Sequence, residues 1–254
     1  MRAGHSPRED IMKRGVLIGI GVAVVVVAVG FWYLFIRDDA PAELTLEDAV
    51  ADVVETTEAP AGEPAEETTT TTTSATVPAD LDGEWAVSQE NTIVGYRIGE
   101  EISGIGTVEA VGRTSEVTGT LTLNGSVIEA VAIEVDMTTL QSDSQSRDNQ
   151  LRTRGLETDT FPTGSFVLTA PVDLGSVPAE GETVSATATG DLTLHGVTQS
   201  VEMPIEGTLA GGQILVVGSL DVVLADYDIE PPVGFRILTI EDQGVFEVQL
   251  AFTR

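Results

Sequence analysis

Side-chain chemistry needs a nucleophile, a base or a metal ligand, and this chain offers few. Its 254 residues include no cysteine, which excludes thiolate nucleophiles, disulfides and Cys-ligated metal. His195 is the only histidine beyond residue 5, so a nitrogen-ligated metal site has one imidazole at most. It lies in DLTLHGVTQSVEM, Asp191 to Met203. Neither G-x-S-x-G nor H-E-x-x-H occurs. A Ser–His–acid arrangement stays open on residue types, because Ser, Asp and Glu are plentiful. So does a carboxylate pair for hydrolysis, since residues 81–254 hold 27 Asp and Glu. No spacing singles out such a pair.

The neighbours of His195 offer a simpler account. Leu192 and Leu194 alternate up to His195-Gly196, and Val197 and Val201 continue beyond. A two-residue turn there pairs Leu194 with Val197. Type I′ turns need positive φ at both central residues; glycine accepts this freely and histidine is among the side chains enriched there. His195 is therefore read as a turn residue and the catalytic set as empty.

The elements around it are strands with period-two alternation. Each nominates inward apolar residues: Tyr96 and Ile98 in TIVGYRI, Val131, Ile133 and Val135 in VIEAVAIEVDM (with Val127 on the same face), and Phe166 and Leu168 after FPTG. Leu220 and Val222 follow in GSLDVVLADYDI, and Phe246 and Val248 in GVFEVQLAF. These eleven are the candidate ligand-lining residues. Gly-containing breaks (LNGS, EGET, LHGV, AGGQ) separate the strands, as in a sandwich or closed barrel. One stretch lacks alternation and predicts a short helix over 145–154, with Ser144 as N-cap and Gly155 as stop.

Two segments precede this domain. Residues 15–36 are 22 uncharged residues, about 33 Å as a helix and enough for a hydrocarbon core of about 30 Å. Arg2, Arg8, Lys13 and Arg14 lie before them and, past Arg37, acidic residues after, so 1–14 is expected to be a cytoplasmic tail, 15–36 a transmembrane helix and everything after Arg37 extracytoplasmic. Residues 38–80 carry twelve acidic residues, no Lys or Arg, and six consecutive threonines. They are expected to be a disordered linker. The net charge of −29 opposes nucleic-acid binding.

GDLTLHGVT (Gly190 to Thr198) resembles the signature hairpin of the YceI-like family of lipocalin-like polyisoprenoid-binding domains. SRDNQLRTRGLETDTFPTGSF resembles that family's Arg-Asp-x-x-Leu helix, Pro and strand-starting Phe, through Arg147, Asp148, Leu151, Pro162 and Phe166. GYRIGE, VTGTLTL and EDQGVFEVQLAF follow the family's order. The resemblance implies an all-β fold over 81–254: an extended antiparallel lipocalin-like barrel of about eight strands with one short helix. It implies a binding protein rather than an enzyme, holding an isoprenoid-type lipid, polyprenyl or quinone-like, in an apolar interior. With the N-terminal helix this gives a single-pass, membrane-tethered carrier at the cell membrane, needing no cofactor or metal. The alternatives are a stalked envelope interaction module without ligand and a carboxylate-based hydrolase. A homodimer is compatible with the sequence. Arg147 and Asp148 are expected to pair with each other, to pin the helix to the barrel, or to meet a lipid head group.

Overall fold

The computed structural model describes residues 40–58, 81–232 and 237–254. The expected cytoplasmic tail (1–14), the transmembrane helix (15–36) and the Thr-rich part of the linker (59–80) lie outside the described residues. Among the described residues no helix is long and apolar enough to cross a membrane.

The strands are β1 (Gly83–Ile102), β2 (Gly106–Thr114), β3 (Val117–Asn124), β4 (Val127–Asp136), β5 (Gln141–Ser142) and β6 (Thr163–Leu168). They continue as β7 (Val172–Asp173), β8 (Val184–Leu194), β9 (Val197–Ala210), β10 (Gln213–Val223), β11 (Ile237–Ile240) and β12 (Gln243–Thr253). Eight of them close an antiparallel barrel in the order β12-β10-β9-β8-β6-β4-β3-β1, with β1 returning to β12. Closure removes the free edges that an open sheet would expose.

β1 is long enough to serve two neighbours in turn. Its start, Gly83 to Ala86, pairs with β3, while Val94 to Ile102 pairs with β2. The switch follows a register shift against β12 between Ser88 and Ile93. The β1–β2 hairpin thus rises beyond the ring at one end, where β5 pairs with β2 and carries the chain into a helix, α2 (Gln145–Thr153).

α2 starts and stops as its sequence predicts. The Ser144 hydroxyl accepts the Arg147 backbone N–H, and Gly155 takes a φ of 65° just past the end. Asp148 accepts bonds from the Ser142 backbone N–H (3.0 Å) and hydroxyl (2.7 Å), tying the helix to β5.

Two expectations need correction. The first concerns β4: it is Ile128, not Val127, that faces the interior alongside Val131 and Ile133. The register against β3 shifts between Thr122 and Leu123, and this bulge reverses the alternation.

The second concerns the acidic linker. Leu46–Glu58 forms a helix, α1, so the described fold has two helices where one is expected, and this part of 38–80 is ordered. Leu46, Ala49 and Val53 share one face and bury against Ala210, Leu215 and Ala251 on the outside of the barrel. Thr45 caps the helix: its hydroxyl accepts the Asp48 backbone N–H (3.2 Å) and donates to the Asp48 carboxylate (2.7 Å). The segment before it is held too, since the Pro41 carbonyl accepts from Arg97 and the Ala42 carbonyl from Arg113. A three-residue apolar stripe in an acidic tract does not stabilise an isolated helix. The matching small-residue patch on the barrel wall does.

Candidate functional site

Three adjoining cavities lie along the barrel interior. A central cavity of about 70 Å³ is lined by apolar side chains from every barrel wall, among them Val131, Phe166, Leu192 and Val248. A second cavity of about 110 Å³ lies towards the β1–β2 hairpin and α2, and shares Val94, Met137, Leu194 and Phe246 with the first. A third, of about 60 Å³, lies at the opposite end and shares Leu121, Ile128, Ile205 and Val216 with the central one. Each exceeds the roughly 10–15 Å³ that one water needs. Apolar walls of this kind leave nothing to hold water in place, so the interior suits a long hydrocarbon chain.

Among the residues lining these three cavities, charged groups occur only at the hairpin end, which we call the mouth; the opposite end holds the buried Thr208 hydroxyl. Arg147 of α2 donates from Nε to Glu100 Oε1 (3.1 Å) and from Nη2 to Glu100 Oε2 (3.0 Å). Its Nη1 donates to Ser142 and Asp143. Glu100 is 4% exposed and Arg147 12%. Burial works to lower the Arg147 pKa, but the bonds and charges of Glu100 and Asp143 outweigh it and hold the pKa above the ordinary arginine range. Arg147 therefore pins α2 over the mouth, and it is not paired with Asp148.

Tyr96 lines the same mouth. Burial, the largest influence, pushes its phenol well above the usual tyrosine range, against the lowering pull of Arg147. On the outer wall Arg97 and Arg113 share Glu247, at 3.6 and 2.7 Å, beneath the Pro41–Ala42 strap.

The structure brings ten of the eleven nominated residues onto cavity walls. Val131, Ile133, Val135, Phe166, Leu168 and Val248 line the centre; Tyr96, Ile98 and Val222 line the mouth; Phe246 lines both. Leu220 lines none of these cavities and packs within the apolar clusters of the wall. Met203 and Ile205 were missed, although their alternation in VEMPIEG was readable. Glu100 was missed as well. Its position two residues beyond Ile98 put a carboxylate on an inward face, which calls for a partner.

His195 forms the corner expected of it. His195 and Gly196 have φ of 50° and 74°, and Leu194 pairs with Val197. The imidazole Nδ1 lies 3.1 Å from the Tyr227 carbonyl oxygen and Nε2 3.0 Å from the Glu157 carboxylate, with the ring 4.2 Å from that of Phe161. Both ring nitrogens are thus engaged in holding neighbouring loops. Among the described residues no group of three or more His, Asp or Glu is placed to hold a metal ion.

Closed barrel, hollow axis and capped mouth are now joined by a direct match: the model of the YceI-like domain fits residues 85–252. The chain belongs to the YceI-like family. This YceI-like domain is 32% identical over 106 residues to a UPF0312 protein of Vibrio parahaemolyticus, a match covering 39% of this chain and 52% of that protein. The chain thus spans about half the length of the curated relative it matches. Two solved structures share the fold. One is a polyisoprenoid binding domain from Saccharophagus degradans implicated in plant cell wall breakdown, with TM-score 0.54, 18% identity and coverage of 66% of this chain and 97% of that one. The other is BcnA of Burkholderia cenocepacia, with TM-score 0.51, 14% identity and coverage of 65% and 98%. Each of those chains consists almost wholly of this fold.

Proposed function

We propose that this YceI-like protein binds and carries an isoprenoid-type lipid, polyprenyl or quinone-like, in the barrel. The observation that carries the reading is the run of adjoining apolar cavities along the barrel, with charged groups confined to one end. That is the shape of a lipid with a long hydrocarbon tail and a small head. The name of the Saccharophagus degradans neighbour, a polyisoprenoid binding domain, supports the same class of ligand. The ten nominated residues on the cavity walls serve as ligand contacts, with Leu220 packed behind them. The protein acts by binding and not by catalysis: His195 is spent on a turn, and Glu100 on an ion pair. We further propose that residues 15–36 anchor it in the cell membrane with the barrel outside the cytoplasm. The composition of that stretch and the basic residues before it support this.

Native mass spectrometry of residues 40–254, before and after organic extraction, tests the carrier reading. A co-purifying lipid at one per barrel, lost on extraction and regained from added isoprenoid lipid, is the expected result. Val131→Phe, which fills the central cavity, should abolish uptake. A barrel that stays empty with every isoprenoid offered would overturn the reading.

A further inference from the structure

A polar atom inside the mouth has nothing to bond. The Tyr96 hydroxyl is shielded from solvent and has no hydrogen-bond partner among the described residues. Its position is set by the backbone opposite. The ring lies across Gly112 of β2, where a Cβ would come 2.3 Å from ring carbon Cε1 and 2.8 Å from the hydroxyl oxygen. Only glycine leaves room for that ring. A shielded hydroxyl without a partner is costly to the empty protein. In a cavity wall it becomes a recognition group once a ligand supplies the missing partner. Burial keeps the phenol protonated at neutral pH, so it has a proton to donate.

The surrounding charges decide what kind of acceptor fits. Those acting on Tyr96 are Arg147, Glu100, Asp148 and Asp143, one cation against three carboxylates. The cation is committed: four bonds run from Arg147 to Glu100, Ser142 and Asp143. Arg97, the other described arginine bordering this cavity, turns its guanidinium to the outer wall, where it pairs with Glu109 and Glu247 and donates to the Pro41 carbonyl; its Nε is left without a hydrogen bond there. An anionic phosphate at this mouth would meet surplus carboxylate, and each described arginine of the lining is already paired with two carboxylates. A neutral oxygen needs only the one donor that Tyr96 offers.

We propose that the Tyr96 hydroxyl is the head-group hook of the barrel, selecting isoprenoid lipids that end in an uncharged hydrogen-bond acceptor, such as a quinone carbonyl, over phosphorylated polyprenyl lipids. This rests on the carrier reading above. Most of the remaining lining of the mouth, including Ile98, Leu151 and Phe246, is apolar and grips the first units of the chain; Gln150, also in the lining, donates its amide to the Ser146 carbonyl.

The test compares residues 40–254 with the Tyr96→Phe variant, which keeps the ring over Gly112. Three probes are titrated by native mass spectrometry: an isoprenoid quinone, a polyprenyl monophosphate of matched chain length, and squalene as a chain without a head. The wild-type protein should bind the quinone tightest. Tyr96→Phe should weaken the quinone about 5–10-fold, the loss of one neutral hydrogen bond, and leave squalene unchanged. Equal quinone affinity in both proteins, or an equal loss for squalene, would overturn the hook. Tighter wild-type binding of the monophosphate would overturn the selection for a neutral head. If the wild-type protein binds none of the three, it is the carrier reading that fails.

Discussion

The ion pair between Arg147 and Glu100 makes an asymmetric prediction. Arg147→Met leaves Glu100, 4% exposed, without its cation. Uncompensated buried charges of this kind cost about 3–5 kcal/mol; with the mouth cavity next to it, about 3–4 kcal/mol is expected. Glu100→Gln leaves Arg147 with Ser142 and Asp143, and Asp143 is 74% exposed and can follow the guanidinium. That loss should be about 1–2 kcal/mol, the scale of one charge-assisted hydrogen bond. Combining the two removes both charges, so the double variant should be more stable than Arg147→Met alone by about 1 kcal/mol or more. Urea unfolding of residues 40–254 followed by circular dichroism measures all four proteins. For a domain of this size the Arg147→Met loss corresponds to a fall in Tm of roughly 6–15 °C. Equal costs for the two single variants, or a double variant less stable than either, would refute the reasoning. Such results would mean that solvent screens Glu100 and that α2 is not pinned by this pair.

Three further outcomes follow from the same geometry. Burial raises the pKa of both Tyr96 and Tyr227 above the ordinary value of 10.0. The folded state therefore keeps phenolic protons that the unfolded state loses, and stability should be full below about pH 10 and fall above it; the fall should be shallower in Tyr96→Phe, as urea midpoints between about pH 9 and pH 11 would show. His195→Asn keeps the positive φ of the turn but loses the bonds to Tyr227 and Glu157, so it should cost about 1–2 kcal/mol and leave lipid affinity within about twofold; a tenfold loss of affinity would return His195 to the site. Ala49→Asp places a carboxylate at a fully buried contact between α1 and the barrel; proteolysis should then cut within 40–58 while the circular dichroism of the strands is retained, and unchanged protease resistance would show that α1 is not held by this face.

Much of the fold was legible because a barrel strand buries one face only. Period-two alternation then marks the inward residues directly, and ten of the eleven nominated residues reached a cavity wall. His195-Gly196 was legible for a local reason as well, since a two-residue hairpin demands positive φ at both positions. Ile128 was not legible. The bulge that reverses the alternation in β4 arises from pairing with β3, and no residue of β4 announces it.

The sequence by itself determined the two-residue alternation of the main strands, the His195-Gly196 turn and the capped helix at 145–153, because each is a pattern of residues a few positions apart. Tertiary structure alone decided three things. Leu46–Glu58 became helical because a patch of Ala210, Leu215 and Ala251, from three different strands, offers it a surface. Arg147 became a pin and not a partner of Asp148 because the β1–β2 hairpin delivers Glu100 from 47 residues away. The interior stayed hollow because eight walls of mostly branched aliphatic side chains stop short of the axis. Whether facing side chains meet depends on the circumference of the closed ring, a property of all the strands together.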